Sequence, residues 1–201
     1  MSALNYLFSS LCSHDPLRSF AVEGNLLPFC QRCTGLYMGL GITCLFLLAS
    51  RLYKKGLPSL SVIYVNIASL LIMPIFGFHL FDPGPAWRLW SGLIYGNAIA
   101  SLLLPATSII CNRGWVCGQY TKFSTLKFFA LFAFLNTIPL WFPIQSMLFY
   151  YLILMFAFTG LFCALFCLIA ITVFWIKRVI ASLILKGLSN GYAKNDTCHR
   201  Y

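Results

Sequence analysis

Residues 30–55 read CQRCTGLYMGLGITCLFLLASRLYKK. The middle is a predominantly apolar run. One end carries two cysteines three apart, Cys30 and Cys33, and the other carries Arg51, Lys54 and Lys55. An apolar stretch closed by lysine and arginine is how a membrane span and its cytoplasmic flank are encoded. The rest of the chain agrees: 60% of its 201 residues are hydrophobic and 9% are charged, against roughly 25% charged in soluble domains. Mean hydropathy is +0.84. An ordinary water-soluble domain and a disordered chain are both excluded. The balance of 14 Lys+Arg against 4 Asp+Glu gives a net charge of +10. In a soluble protein that excess would suggest nucleic acid; here the basic residues sit between apolar runs, so no nucleic-acid partner is expected.

Working outward from that stretch, the sequence predicts an all-α integral membrane protein with five spans, since helices satisfy their own backbone groups in lipid. The spans are 34–50, 58–80 with Pro74 as a kink, 87–111 with Pro105 near its far end, 126–141, and 147–176. The last is long enough to tilt or project. With five spans, Arg51, Lys54, Lys55, Arg113, Lys122, Lys127, Lys177, Arg178, Lys186, Lys194 and Arg200 fall on one side. Only Arg18, Arg32 and Arg88 fall on the other. The N-terminus is therefore expected outside, the C-terminus in the cytoplasm, and the protein in the cell (inner) membrane as a multi-pass chain. Three regions follow: an extracytoplasmic or interfacial segment 1–33, a five-helix membrane domain 34–176, and a basic cytoplasmic tail 177–201. The opening MSALNYLFSSLC lacks the charged start and unbroken apolar core of a signal peptide and reads as a short interfacial helix.

The polar chemistry gathers on the expected outer side, in residues 12–35 (CSHDPLRSFAVEGNLLPFCQRCTG) and 79–92 (HLFDPGPAWRLWSG). Gly35 and Gly39 open the first span, and Gly92 and Gly96 the third. Small residues four apart let helix backbones approach in membranes. Direct pairing of these two parallel spans would bring Cys33 and Arg32 near Arg88. Cys30-x-x-Cys33 suits three chemistries. It could supply thiolates to a tetrahedral zinc site, completed by Cys12 and His14. It could exchange thiols and disulfides, with Cys30 attacking and Cys33 resolving, and with a quinone as electron partner. It could also be an inert disulfide, within the pair or with Cys12.

His79 and Asp82, three apart, would share a helix face as an acid/base pair or as metal ligands, with Arg88 lining the same cavity. The competing reading makes Asp82 a cap before Pro83-Gly84-Pro85. Arg18 and Arg32, with Arg88, could bind an anionic small molecule or a lipid headgroup, or simply pair with Asp15, Glu23 and Asp82. Cys44, Cys163 and Cys167 lie inside apolar runs and read as packing. Small-solute or lipid transport is a further alternative, weakened because the spans hold almost no ionisable residues. Asn66, Asn97 and Asn136 are the polar residues in mid-span.

The residues CSHDPLRSF, LPFCQRCTGLYMG and DPGPAWRLWSGLIYG resemble the bacterial and archaeal membrane proteins grouped as domain of unknown function 2085. The likeness rests on Cys12, Arg18, Ser19, Phe20, Pro28, Cys30, Arg32, Cys33, Thr34, Gly35, Tyr37, Asp82, Arg88, Gly92 and Gly96. It covers about residues 12–100, and it departs at Ser13, where the pattern has a histidine and this chain places His14 one residue later. The resemblance implies a multi-span membrane protein and carries no activity with it.

Overall fold

The computed structural model describes Cys12 and residues 18–22, 25–55, 57–77, 84–111, 121–141 and 147–195. The elements in chain order are strands β1 (Ser19–Val22) and β2 (Asn25–Cys30), then helix α1 (Gln31–Ala49). Helices α2 (Leu60–Gly77), α3 (Pro85–Cys111), α4 (Lys122–Trp141) and α5 (Met147–Asn195) follow. Five helices thus occupy the five apolar stretches of the sequence. Gln31–Ala49, Pro85–Ile110 and Tyr150–Ser182 are long and apolar enough to cross a membrane, and Leu60–Ile75 is a shorter apolar helix.

The fold departs from all-helical at its start. β1 and β2 form an antiparallel two-stranded hairpin with Ala21 paired to Leu26 and Val22 to Asn25. The innermost pair, Val22 and Asn25, is three apart in sequence. The register slips before Ser19 meets Cys30, and Pro28 lies within the slipped stretch. A proline has no N–H to give a ladder, so pairing is interrupted there. The hairpin survives because Leu27, Pro28 and Phe29 are buried, which anchors β2 to the helices. The interfacial helix expected for the first residues lies outside the described residues.

The centre of the fold is the parallel pair α1 and α3, which share the most extensive contact in the molecule. A Cβ on Gly35 would run into the carbonyl oxygen of Leu89, and one on Gly39 into that of Leu93. In return, a Cβ on Gly92 would meet the carbonyl oxygen of Arg32, and one on Gly96 that of Leu36. The two glycine pairs therefore face each other, as the spacing of small residues suggested. One helix further round, Gly41 of α1 abuts the backbone of Phe156, and Gly160 of α5 abuts Tyr37 and Gly41. That second glycine contact sets α5 parallel to α1. The buried Thr43 donates to Asn97 Oδ1 at 2.9 Å, tying α1 to α3 at mid-depth.

The remaining helices run the other way. α2 packs chiefly on α3, burying Val62, Asn66 and Ser69 along one stripe. α4 joins α3 through Trp90, whose Nε1 donates to Asn136 Oδ1 at 2.6 Å. At its other end, α4 meets the turn after α1: Lys55 Nζ donates to Ser124 Oγ at 3.0 Å. α5 continues past Ala170, which lines one cavity with Leu48 and Tyr53 near the end of α1. From there residues 171–195 extend it by about 37 Å at 1.5 Å per residue.

Candidate metal centre

The hairpin exists to deliver cysteines to a helix start. β2 ends on Cys30, which takes the N-cap position of α1 with φ −66° and ψ 161° and makes no capping bond with its side chain. Its thiol is therefore left for other partners. Phe29, 1% exposed, packs with Ala157 and with Cys33 and Tyr37, its ring 5.0 Å from that of Tyr37. Thr34 Oγ1 donates back to the Phe29 carbonyl at 3.4 Å. The strand-to-helix junction is thus fixed on both sides of Cys30, and Cys33 follows one turn into α1.

Cys12 completes the group. The backbone N–H of Cys30 donates to Cys12 Sγ at 3.4 Å, and the Cys33 thiol is hydrogen-bonded to both Cys12 and Cys30. The three sulfurs all lie within 4.8 Å of one another, an arrangement that could hold a metal ion. Zinc–thiolate bonds of about 2.3 Å in a tetrahedron put sulfurs about 3.8 Å apart, so the spacing suits that ion. Cys12 is buried, and Cys30 and Cys33 are half-buried. None of the three is joined in a disulfide.

The first turn of α1 also touches α3. Arg88 Nη1 donates to Gln31 Oε1 at 3.1 Å, so Arg88 reaches the residue next to Cys30. Arg32 is half-buried, with its carbonyl against Gly92, and Arg18 is exposed at the foot of β1. His14, His79 and Asp82 lie outside the described residues. The structure therefore brings together Cys12, Cys30, Cys33 and the Arg88–Gln31 contact, and it leaves Arg18 on the surface.

One feature was not read from the sequence. Cys44 on α1 and Cys167 on α5 are buried in one hydrophobic cluster, with Cys163 packed against it. The available signal was Gly41 three residues before Cys44 and Gly160 three residues before Cys163, but nothing in the sequence pairs these two helices.

Helices fit to cross a membrane, with a trithiol cluster at the start of the first, define a helical membrane protein with a candidate metal centre. Residues 12–102 match the family described as "Predicted membrane protein (DUF2085)". The resemblance carried by the cysteine and glycine motifs is thus shown over that stretch. The chain is also similar to an uncharacterized protein of Methanothermobacter thermautotrophicus, 36% identical over 69 residues. That similarity covers 34% of this chain and 57% of the relative, little more than half its length. No solved structure matches the chain.

Proposed function

We propose that this is a five-span membrane protein that holds zinc at Cys12, Cys30 and Cys33, with His14 as the fourth ligand. The observation that carries the reading is the mutual approach of the three sulfurs to within 4.8 Å. Three sulfurs this close cannot all carry charge unless a cation lies among them. The N–H of Cys30 directed at Cys12 Sγ is the kind of outer contact that orients a thiolate ligand. His14, two residues from Cys12, supplies the nitrogen that a Cys₃His set needs. The site sits on the outer side, beside a cavity lined by His79, Asp82 and Arg88, with Arg18 and Arg32 offering charge to an anionic small molecule or lipid headgroup. Segment 1–33 is its platform, 34–176 the membrane domain and 177–201 a cytoplasmic tail. The orientation is supported by the charge distribution, and the chain's place is the cell membrane.

A second reading is thiol–disulfide exchange at Cys30 and Cys33. Neither is joined in a disulfide, and their sulfurs lie within 4.8 Å of each other.

Metal analysis of the purified protein, with thiols counted before and after chelation, separates the two. The first reading expects about one zinc per chain, thiols that become reactive only on chelation, and loss of the metal on Cys12→Ser. A metal-free protein whose Cys30–Cys33 bond forms and reduces reversibly overturns it in favour of the second. Labelling of Ala3→Cys from outside intact cells, and of Asn190→Cys only after permeabilisation, tests the orientation; the opposite pattern sinks it.

A further inference from the structure

The end of the bundle away from the trithiol cluster carries a feature of its own. A cavity of about 480 Å³ lies between α3, α5 and the turn that follows α1, within the range of small-molecule sites, roughly 300–1,000 Å³. Its walls change character along the helices. Leu48 on α1, Leu104 on α3 and Phe162 on α5 line it on the side towards mid-bundle. Tyr53, Thr107 and Ser108 line it on the side where α1 and α3 end. The cavity opens sideways, since Phe162 and Phe166 in its wall are 73% and 65% exposed. In a bilayer that side meets lipid.

The same end is basic. Arg51 and Lys54 are exposed on the turn, and Lys54 Nζ lies 5.7 Å from the centre of the Tyr53 ring, which holds one ammonium beside the cavity. Lys177 is exposed on α5, seven residues past the cavity residue Ala170. Seven residues are close to two helical turns, so Lys177 stands about 10 Å beyond Ala170 on nearly the same face. Helical side chains lean towards the N-terminus, here back towards the cavity. None of the chain's four acidic residues, Asp15, Glu23, Asp82 and Asp196, lies within α1–α5. No helix carboxylate therefore answers these cations.

An apolar slot open to lipid, hydroxyls towards its end and cations beyond follow the order of a phospholipid's tail, ester region and head. We infer that this cavity binds one anionic phospholipid, with an acyl chain in the slot and its phosphate held by Lys54 and Lys177. Basic pockets between membrane helices suit such head groups. A second copy of the chain fits the slot less well. Membrane helices approach through small residues; Gly160 is already packed on α1, and the exposed face of α5 presents Phe162, Leu165, Phe166 and Ile169. The lipid belongs to the leaflet at the basic end, the cytoplasmic one in the orientation proposed above. The inference goes beyond the zinc reading and stands whether or not the trithiol cluster holds metal.

The test is native mass spectrometry of the full-length protein released from a neutral detergent, titrated with phosphatidylglycerol or with phosphatidylcholine. One phosphatidylglycerol is expected to be retained per chain, more tightly than phosphatidylcholine. Lys54→Gln with Lys177→Gln should weaken phosphatidylglycerol about 25-fold, at about fivefold for each lysine, and leave phosphatidylcholine unchanged. Lys122→Gln with Lys127→Gln removes the same charge from α4 and should change neither. Ala170→Phe, which fills the slot, should displace both lipids; if it lowers the helical signal, Ser108→Phe on the α3 wall takes its place. Equal retention of the two lipids by the wild-type chain overturns the site. So does a Lys54 and Lys177 double variant that binds as wild type, or an equal loss in the α4 pair, which would mean diffuse attraction. Retention that survives filling of the slot, or a dimer of the chain in place of the lipid adduct, overturns it as well.

Discussion

Gly92→Ala is the smallest change that tests how α3 holds the cysteine-bearing turn. The added methyl would lie 2.8 Å from the backbone nitrogen of Leu36 and closer still to the carbonyl oxygen of Arg32. Ordinary contact for a Cβ begins at 3.4 Å, so relief from the nitrogen alone needs 3.4 − 2.8, about 0.6 Å of separation. Both atoms are backbone, so no side chain can turn aside. Overpacking of this kind costs about 1–3 kcal/mol. Against it stands about 1 kcal/mol from the better helix propensity of alanine. If packing dominates, stability falls by up to about 2 kcal/mol, or by several degrees in Tm at roughly 2–4 °C per kcal/mol for a chain of this size. Thermal unfolding in detergent, followed by helical circular dichroism, measures it. Leu71→Ala, on the exposed face of α2 (62% exposed), serves as the control with little expected change. A Gly92→Ala protein as stable as wild type, or more stable, would mean that α1 and α3 do not approach this closely and would refute the reasoning.

Asn66 is fully buried on α2, and neither its Oδ1 nor its Nδ2 has a hydrogen-bond partner among the described residues. Asn66→Leu should therefore raise stability, by about 1–3 kcal/mol for an unsatisfied buried polar group removed; a loss in the same unfolding assay would show that the amide is in use. Asn136→Leu removes the acceptor of the 2.6 Å bond from Trp90 and should cost about 0.5–2 kcal/mol, with a blue shift in tryptophan emission as the check; unchanged stability and emission would dissociate α4 from α3. Metal held by Cys12, Cys30 and Cys33 should be released as pH falls. Thiols ionise only near pH 8.5 and bind as thiolates, so affinity drops about tenfold per pH unit for each proton displaced. Retention against a chelator that does not vary with pH would exclude thiolate ligands.

Much of the helical frame was legible because apolar length and proline are local signals. α1, α3 and α4 begin within about four residues of the expected spans, and Gly35, Gly39, Gly92 and Gly96 face one another as small residues four apart allow. The hairpin was not legible. Pro28 argues against a strand, and what sustains β2 is the burial of Leu27 and Phe29 against helices that include one more than a hundred residues away. The length of α5 was hidden for a different reason: the membrane signal stops at the basic residues Lys177 and Arg178, while backbone helicity carries on to Asn195.

The two thiol clusters mark the boundary between what a sequence pattern can and cannot hold. Cys30 and Cys33 announce themselves by spacing, because one turn of one helix carries both. Cys12, eighteen residues before Cys30, meets them only in space, where the Cys30 N–H donates to its sulfur. Cys44 and Cys163 are 119 residues apart in sequence and packed in one cluster in space. Their meeting is set by Gly41 and Gly160, each a single glycine without the four-residue partner that made the α1–α3 pair readable. A thiol in an apolar run was therefore read as a small hydrophobe, which is its usual role. The structure keeps that role: Cys44 and Cys167 are buried in one hydrophobic cluster and Cys163 packs against it, so what the sequence hid was which helix supplies the neighbours.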